Sequence, residues 1–179
     1  QFADYIIVIS KMSEKSIKKI LINKKKIKLI LNPLLISQNK KKFKNNNINK
    51  KLSIVAAGRF VKQKNFELLI DVVKLLVSQK HKIELTIIGS GKNKVSLQKR
   101  IGQCKSIKII DWKNNLYYVF KKHDVFILPS LYEGAPNILI EALNCGIPTI
   151  ASDCSGVKDI LGNKYKYLFK INDSKQLKN

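Results

Sequence analysis

Residues 125–151 read VFILPSLYEGAPNILIEALNCGIPTIA. The run VFIL (125–128) is apolar throughout, and a turn rich in Pro, Ser and Gly follows it. Residues 136–145 then carry helical spacing. Pro136 stands where proline is favoured at a first helical position, Gly146 stands just past the end, and Pro148 lies beyond. A second apolar run, PTIA (148–151), closes the unit. Strands apolar at every position, rather than at alternate ones, are buried on both faces, which is the mark of a parallel sheet covered by helices.

The same unit repeats outward from this stretch. Apolar runs recur at 53–57 (SIVAA), 84–88 (ELTII), 107–110 (IKII) and, weakly, at 165–169 (YKYLF). In 64–79 the apolar residues Phe66, Leu69, Ile70, Val73, Leu76 and Val77 step by three and four, predicting a helix. Strand–helix alternation implies right-handed crossovers. The expected fold is therefore α/β, a six-stranded, mainly parallel Rossmann-like sheet with helices on both faces, spanning 52–179. Before residue 52 the pattern differs. FADYIIVIS (2–10) reads as a short buried strand, 13–22 as a basic helix with Ser13 as its N-cap, and IKLILNPLLI (27–36) as a strand broken at Asn32-Pro33. QNKKKFKNNNINKK (38–51) is of low complexity and reads as a loop or linker, leaving 1–51 partly detached.

The 179 residues are 45% hydrophobic, enough for one domain with a proper core and too many for a disordered tail. The formal charge is +23, yet only Arg59 and Arg100 among the 35 basic residues are arginine. Lys, Ile and Asn supply 75 residues, the amino acids that A/T-rich codons favour, so charge alone names no partner. Fourteen lysines face one acid over 11–51, whereas 123–162 holds five acids and one base. No apolar run approaches the ~18 residues of a membrane span, and no signal peptide opens the chain. Cys104, Cys145 and Cys154 form no CxxC pair and are odd in number, so a reducing cytoplasm is expected rather than a disulfide framework. The chain opens on Gln1 rather than Met, which reads as a piece of a longer protein.

In parallel sheets ligands bind at the carboxyl ends of the strands, so the loops there are the places to search. Gly58-Arg59-Phe60-Val61-Lys62-Gln63-Lys64-Asn65 puts a glycine and two cations before a helix N-terminus, a ready anion site; a solvated basic loop would look the same. Gly89-Ser90-Gly91-Lys92-Asn93-Lys94 fails as a P-loop at Thr86 and Asn93, and as a dinucleotide fingerprint at Lys94. It remains a tight turn, with or without a ligand against its backbone. The third loop holds Glu133, with Glu141 about two turns into the following helix. An acid in a helix reading ILI–AL is costly unless it is partnered or faces solvent. No DxD, HExxH or Cys/His cluster supports a metal. His81 reads as solvated and His123 as structural.

Taken together, GRFVKQKN (58–65), IIGSG (87–91) and DVFILPSLYEGAPNILIEALNCGIPTIASDCSG (124–156) resemble the C-terminal, donor-binding domain of GT-B glycosyltransferases, and most closely the retaining family 4, the glycosyl transferases group 1 proteins. The E-x7-E element matches as Glu133 and Glu141, and the tail after it as Ala142, Gly146 and Pro148. The resemblance covers about 52–162. It implies that 1–51 is the end of an N-terminal acceptor domain with its crossover, and 52–179 the nucleotide-sugar-binding domain.

By that resemblance Arg59 and Lys64 hold the donor diphosphate and stabilise its charge as it leaves, and Glu133, near the donor sugar hydroxyls, completes the catalytic set. Glu141 accepts from the ribose, while Gly58, Gly89, Gly91, Gly134, Ala135 and Asn137 line the donor. Neutralising Glu133 is then expected to leave free-nucleotide affinity nearly unchanged. Asn65 stands where the family commonly has glycine, and Trp112 where it often has glycine near the base. The implied reaction is retaining, metal-independent transfer from a UDP- or GDP-sugar to a glycan or lipid-linked acceptor, with no cofactor, as in polysaccharide biosynthesis. The expected setting is cytoplasmic, extending to peripheral attachment at the inner, anionic membrane face. Cations and a helix dipole can stabilise a leaving diphosphate without metal, and carboxylates are natural acceptors for sugar hydroxyls. Two alternatives stay open: a basic nucleic-acid-binding module and a GT-B nucleotide-sugar epimerase. Against the first, 11–51 has no arginine and one aromatic, Phe43, so no specific nucleic acid is expected.

Overall fold

The computed structural model describes residues 3–21, 24–30, 32 and 51–179. Six parallel strands form one sheet: β3 (Leu52–Ala57), β4 (Ile83–Ile88), β5 (Ile107–Ile110), β6 (Val125–Leu128), β7 (Thr149–Ser152) and β8 (Leu168–Phe169). Their order is β5-β4-β3-β6-β7-β8, so the chain runs outward from β3 in one direction, then returns and runs outward in the other. The reversal lies between β3 and β6, where the carboxyl ends of two neighbouring strands send their loops apart and leave a crevice.

Alternate residues of β3 explain the two-layer core. Ile54 and Ala56 face the side covered by α2 (Phe66–Ser78) and α3 (Lys94–Ile101), packing with Phe66, Leu69, Ile70 and Leu97. Val55 and Ala57 face the other side, under α4 (Tyr117–Lys121), α5 (Asn137–Asn144) and α6 (Ser155–Leu161), with Phe120, Leu139 and Val157. Period-two alternation with both faces buried produces the continuous apolar runs of the sequence. His123 is structural: its Nδ1 lies 2.7 Å from the Val119 carbonyl oxygen and its Nε2 3.1 Å from Thr86 Oγ1, joining α4 to β4.

Expected boundaries moved in several places. The 64–79 helix starts at Phe66 because Asn65 takes a left-handed backbone, φ 52°, a conformation Asn tolerates better than most residues. Pro136 sits one position before the first residue of α5, at the N-cap. Among the described residues of the front segment the strands are β1 (Ile6–Val8) and β2 (Ile27–Leu29), a separate parallel pair; residues 31 and 33–36 of the expected second strand lie outside the described residues. Between them α1 (Lys11–Ile20) begins earlier than expected. Ser10, not Ser13, is its N-cap, accepting at its hydroxyl from the Ser13 N–H at 3.1 Å. Residues 38–50 of the expected linker lie outside the described residues.

The front segment touches the sheet domain at α6 and α5. The Lys11 N–H donates to Asp159 Oδ2 at 2.9 Å, so an α6 carboxylate completes the cap of α1, and Asn32 Nδ2 donates to Asn137 Oδ1. A last helix, α7 (Ser174–Lys178), capped by the Asp173 side chain, packs against α2.

Candidate functional site

A cleft of about 460 Å³ opens at the crevice between β3 and β6. Its walls are the loop after β3 (Gly58, Arg59, Lys64), Ser90 after β4, Trp112 after β5, and Glu133 with Ala135 to Ile138 around the start of α5. Of the residues singled out in the sequence, Gly58, Arg59, Lys64, Glu133, Ala135 and Asn137 therefore meet in one place.

Arg59 is exposed, and its side chain has no hydrogen bond or ion pair among the described residues. Lys64 is different. Only 8% exposed, it donates from Nζ to Glu133 Oε1 at 2.6 Å, and Glu133 is itself 5% exposed. The buried hydroxyl of Ser130 donates to the same carboxylate oxygen at 2.6 Å. No described residue donates to Oε2 of Glu133. Glu133 is therefore not a surface acid, because a carboxylate this buried needs its ammonium and hydroxyl partners.

Second-layer contacts fix the Glu133 backbone. Ser152, at the end of β7, donates from its hydroxyl to the Ser130 carbonyl at 2.5 Å. Gly156, in the first turn of α6, lies so close that a Cβ there would come 2.3 Å from the carbonyl oxygens of both Glu133 and Gly134. Ser130, Ser152 and Gly156 escaped the sequence reading. Small residues at strand ends and helix starts are common, and nothing local says which of them carry weight.

The glycine turn after β4 is explained within the protein. A Cβ on Gly89 would meet the Gly58 carbonyl oxygen at 2.0 Å, and one on Gly91, at φ 142°, would meet Phe60 backbone atoms at 2.9 Å. The Phe60 N–H donates to the Ser90 carbonyl at 2.7 Å, and the Asn93 N–H to the Phe60 carbonyl at 3.1 Å. The two glycines let the loops after β3 and β4 strap together, which presents Arg59 and Ser90 to the cleft. At Gly134 the situation reverses: a Cβ would meet no protein atom within 4 Å. Gly134 lines a smaller cavity of about 70 Å³ behind the cleft, with Ala135, Gly156 and Asn32.

Glu141 does not line the cleft. It lies about one turn into α5 rather than two, on an exposed face, without a hydrogen-bonding or ionic partner among the described residues. Partial burial of its carboxyl, uncompensated by any donor, raises its pKa above the ordinary 4.5. Trp112 presents a half-exposed indole to the cleft. Beside it Lys94 pairs with Asp111, which joins the start of α3 to the loop after β5.

Chemically, the cleft offers an unpaired guanidinium, an ammonium shared with a buried carboxylate, and the N-terminus of α5 with its free N–H groups. It is built to receive an anion, with an acceptor oxygen of Glu133 nearby. Among the described residues no group of three or more His, Cys, Asp or Glu could hold a metal ion, and no helix is long and apolar enough to cross a membrane.

The family model described as "Glycosyl transferases group 1" matches residues 37–179. The chain is 32% identical over 158 residues to the capsular polysaccharide biosynthesis glycosyltransferase CapH of Staphylococcus aureus, covering 85% of this chain and 43% of that protein. It is 29% identical over 123 residues to an Escherichia coli UDP-Gal:alpha-D-GlcNAc-diphosphoundecaprenol alpha-1,3-galactosyltransferase, covering 65% of this chain and 32% of that one. The fold matches that of Anabaena Alr3699/HepE, solved in complex with UDP and glucose, at a TM-score of 0.80 and 17% identity, over 99% of this chain and 52% of that one. The chain spans less than half the length of these two curated relatives.

Proposed function

The chain belongs to the glycosyl transferases group 1 family, and from that premise we propose that it is the donor-binding part of an enzyme transferring a sugar from a nucleoside-diphosphate sugar. The observation that carries the proposal is the convergence of Arg59, Lys64 and the N-terminus of α5 on one cleft at the sheet's reversal point. A diphosphate there gains a bidentate partner in Arg59 and backbone donors at the start of α5. As the sugar leaves, negative charge grows on the diphosphate, and these groups stabilise it more in the transition state than in the ground state.

The other residues follow from the same placement. Oε2 of Glu133 accepts from a sugar hydroxyl while Oε1 keeps Lys64 and Ser130. Glu141 lies outside the walls of the cleft, about one turn along α5, and its acceptance from the ribose rests on the family resemblance and requires the nucleoside to extend past the cleft along that helix. Segment 1–51 is the end of the acceptor-binding part and its crossover, and the whole enzyme retains the anomeric configuration and uses no metal. UDP is the favoured nucleotide, since the galactosyltransferase relative uses UDP-Gal and the Anabaena neighbour binds UDP. The acceptor is a glycan or a lipid-linked sugar, the latter as in the name of that relative. α1 supports attachment to an anionic membrane, because Lys11, Lys15, Lys18 and Lys19 stand exposed with Met12 and Ile20 among them. The names of the relatives lend no support to a nucleic-acid module or an epimerase.

Calorimetric titration of the chain with UDP and GDP, in EDTA and again with Mn²⁺, tests the reading. Saturable binding of one nucleotide in EDTA, weakened by Arg59→Ala, is expected. Binding that requires Mn²⁺ would contradict the metal-independent part, and no binding under either condition would contradict the whole.

A further inference from the structure

An anion site gains from every cation it exposes, yet one of the two cations of this cleft is bonded to a buried carboxylate. The arrangement is held on several sides. The Lys64 and Glu133 side chains are only 10% and 6% exposed, Ser130 donates to the bridging oxygen, and the Glu133–Gly134 peptide is seated against Gly156. A buried ion pair is weak evidence for a role in fold stability, because replacing one with apolar residues is often neutral or stabilising. Resting on the nucleotide reading above, we propose that Glu133 is an electrostatic counterweight to Lys64. It aims the ammonium at the cleft and cancels part of its charge, so that a nucleoside diphosphate is held less tightly than the cations alone would hold it.

A transferase that turns over must release its nucleoside diphosphate in every cycle, and release often limits the rate. A cleft with two uncompensated cations and a helix N-terminus would retain that product. Glu133 lowers affinity for the free diphosphate, while its position beside the sugar lets the same charge favour the cationic character of the reacting carbon. The role reverses the expectation drawn from sequence, in which neutralising Glu133 leaves nucleotide affinity unchanged. What changes it is the 2.6 Å bond to Lys64, a residue 69 positions away.

Glu133→Gln separates charge from shape, because the amide oxygen still accepts from Ser130 and Lys64. A unit negative charge about 6 Å from a bound phosphate opposes it roughly 3-fold in affinity at water's dielectric and roughly 100-fold at an effective value of 20. The gain also falls as salt is added. The test is calorimetry on the 179-residue chain with UDP and, separately, inorganic pyrophosphate, at two ionic strengths. Glu133→Gln is expected to tighten both ligands by at least threefold, more at low salt, and Glu133→Asp, which keeps the charge, to show no gain. A fold-intact Glu133→Gln that binds either ligand no better than wild type would overturn the counterweight. Should Glu133→Gln alone not fold, Lys64→Met and the double variant Lys64→Met/Glu133→Gln carry the test. The double variant must bind pyrophosphate more tightly than Lys64→Met, and equal affinities would refute the idea. A wild-type chain that binds neither ligand removes the nucleotide reading and this inference together. A wild-type chain that binds UDP through Arg59, without a gain in Glu133→Gln, removes only the inference.

Discussion

Gly156→Ala puts one methyl group where the structure has no room for it. The added carbon would lie 2.3 Å from two carbonyl oxygens, those of Glu133 and Gly134, against the ~3.4 Å of ordinary contact. Something must therefore move by about 1 Å. The oxygens are not free to yield, because Ser152 holds the Ser130 carbonyl while Ser130 and Lys64 hold the Glu133 carboxylate. Overpacking of this kind costs about 1–3 kcal/mol. Alanine recovers up to about 1 kcal/mol of helix propensity over glycine in α6. The net expectation is a loss of about 1–2 kcal/mol, measured as a lowered urea midpoint at unchanged slope. Ser155→Ala, at the neighbouring position of α6, serves as the control for helix propensity, with the loss of the Ser155 hydroxyl's 2.9 Å bond to Met12 Sδ counted against it. The displaced loop should also disturb the 2.6 Å contacts of Glu133, so UDP affinity should change in Gly156→Ala and not in the control. A Gly156→Ala chain as stable as wild type, with the same UDP affinity, would refute the claim that α6 sets the height of the Glu133–Gly134 peptide.

Arg59→Ala should leave the urea midpoint unchanged, since its side chain has no partner among the described residues, and weaken UDP binding by about 1.5–3 kcal/mol. In the whole enzyme it should slow transfer on the order of 10²–10³-fold. Glu141 gives a signed pH dependence. Its raised folded pKa means the folded chain binds more protons than the unfolded one, so Glu141 disfavours folding at neutral pH. Glu141→Gln should therefore be slightly more stable than wild type at pH 7, and the difference should vanish as the pH falls below about 4.5, in urea titrations across that range. On the proposed placement of the ribose beside the Glu141 carboxylate, UDP binding should weaken in wild type as the pH falls through the raised value, and less so in Glu141→Gln. Thr86→Val removes the partner of His123 Nε2 and should cost about 1 kcal/mol by the same denaturation assay.

Much of the fold was legible because parallel strands buried on both faces leave unbroken apolar runs. β5 and β6 begin and end where the runs IKII and VFIL do. The short helices α4 and α7, at five residues each, carry too few turns for a period of 3.6 to show. At α1 the sequence pointed to Ser13 as the cap, whereas Ser10 holds that place and Asp159 of α6 accepts from the Lys11 N–H, a contact that no local pattern reveals. In the site, the spacing of Glu133 and Glu141 was visible, but their environments were not. Glu133 is buried because Lys64 and Ser130 reach it, whereas Glu141 stays exposed without a partner. At Gly89 and Gly91 the sequence left open a plain tight turn or a ligand against the backbone, and the structure seats Gly58 and Phe60 against them. Each difference is a long-range contact, which residue type and spacing along the chain do not encode.

The proposed site holds a nucleoside diphosphate between Arg59 and the start of α5. The most direct measurement is a two-dimensional ¹⁵N–¹H spectrum of the labelled chain titrated with UDP. Concerted shifts of the Gly58, Arg59, Asn137 and Ile138 amides at one common dissociation constant, lost in Arg59→Ala, are expected. Shifts confined to the lysine-rich helix α1, with those four amides unmoved, would contradict it.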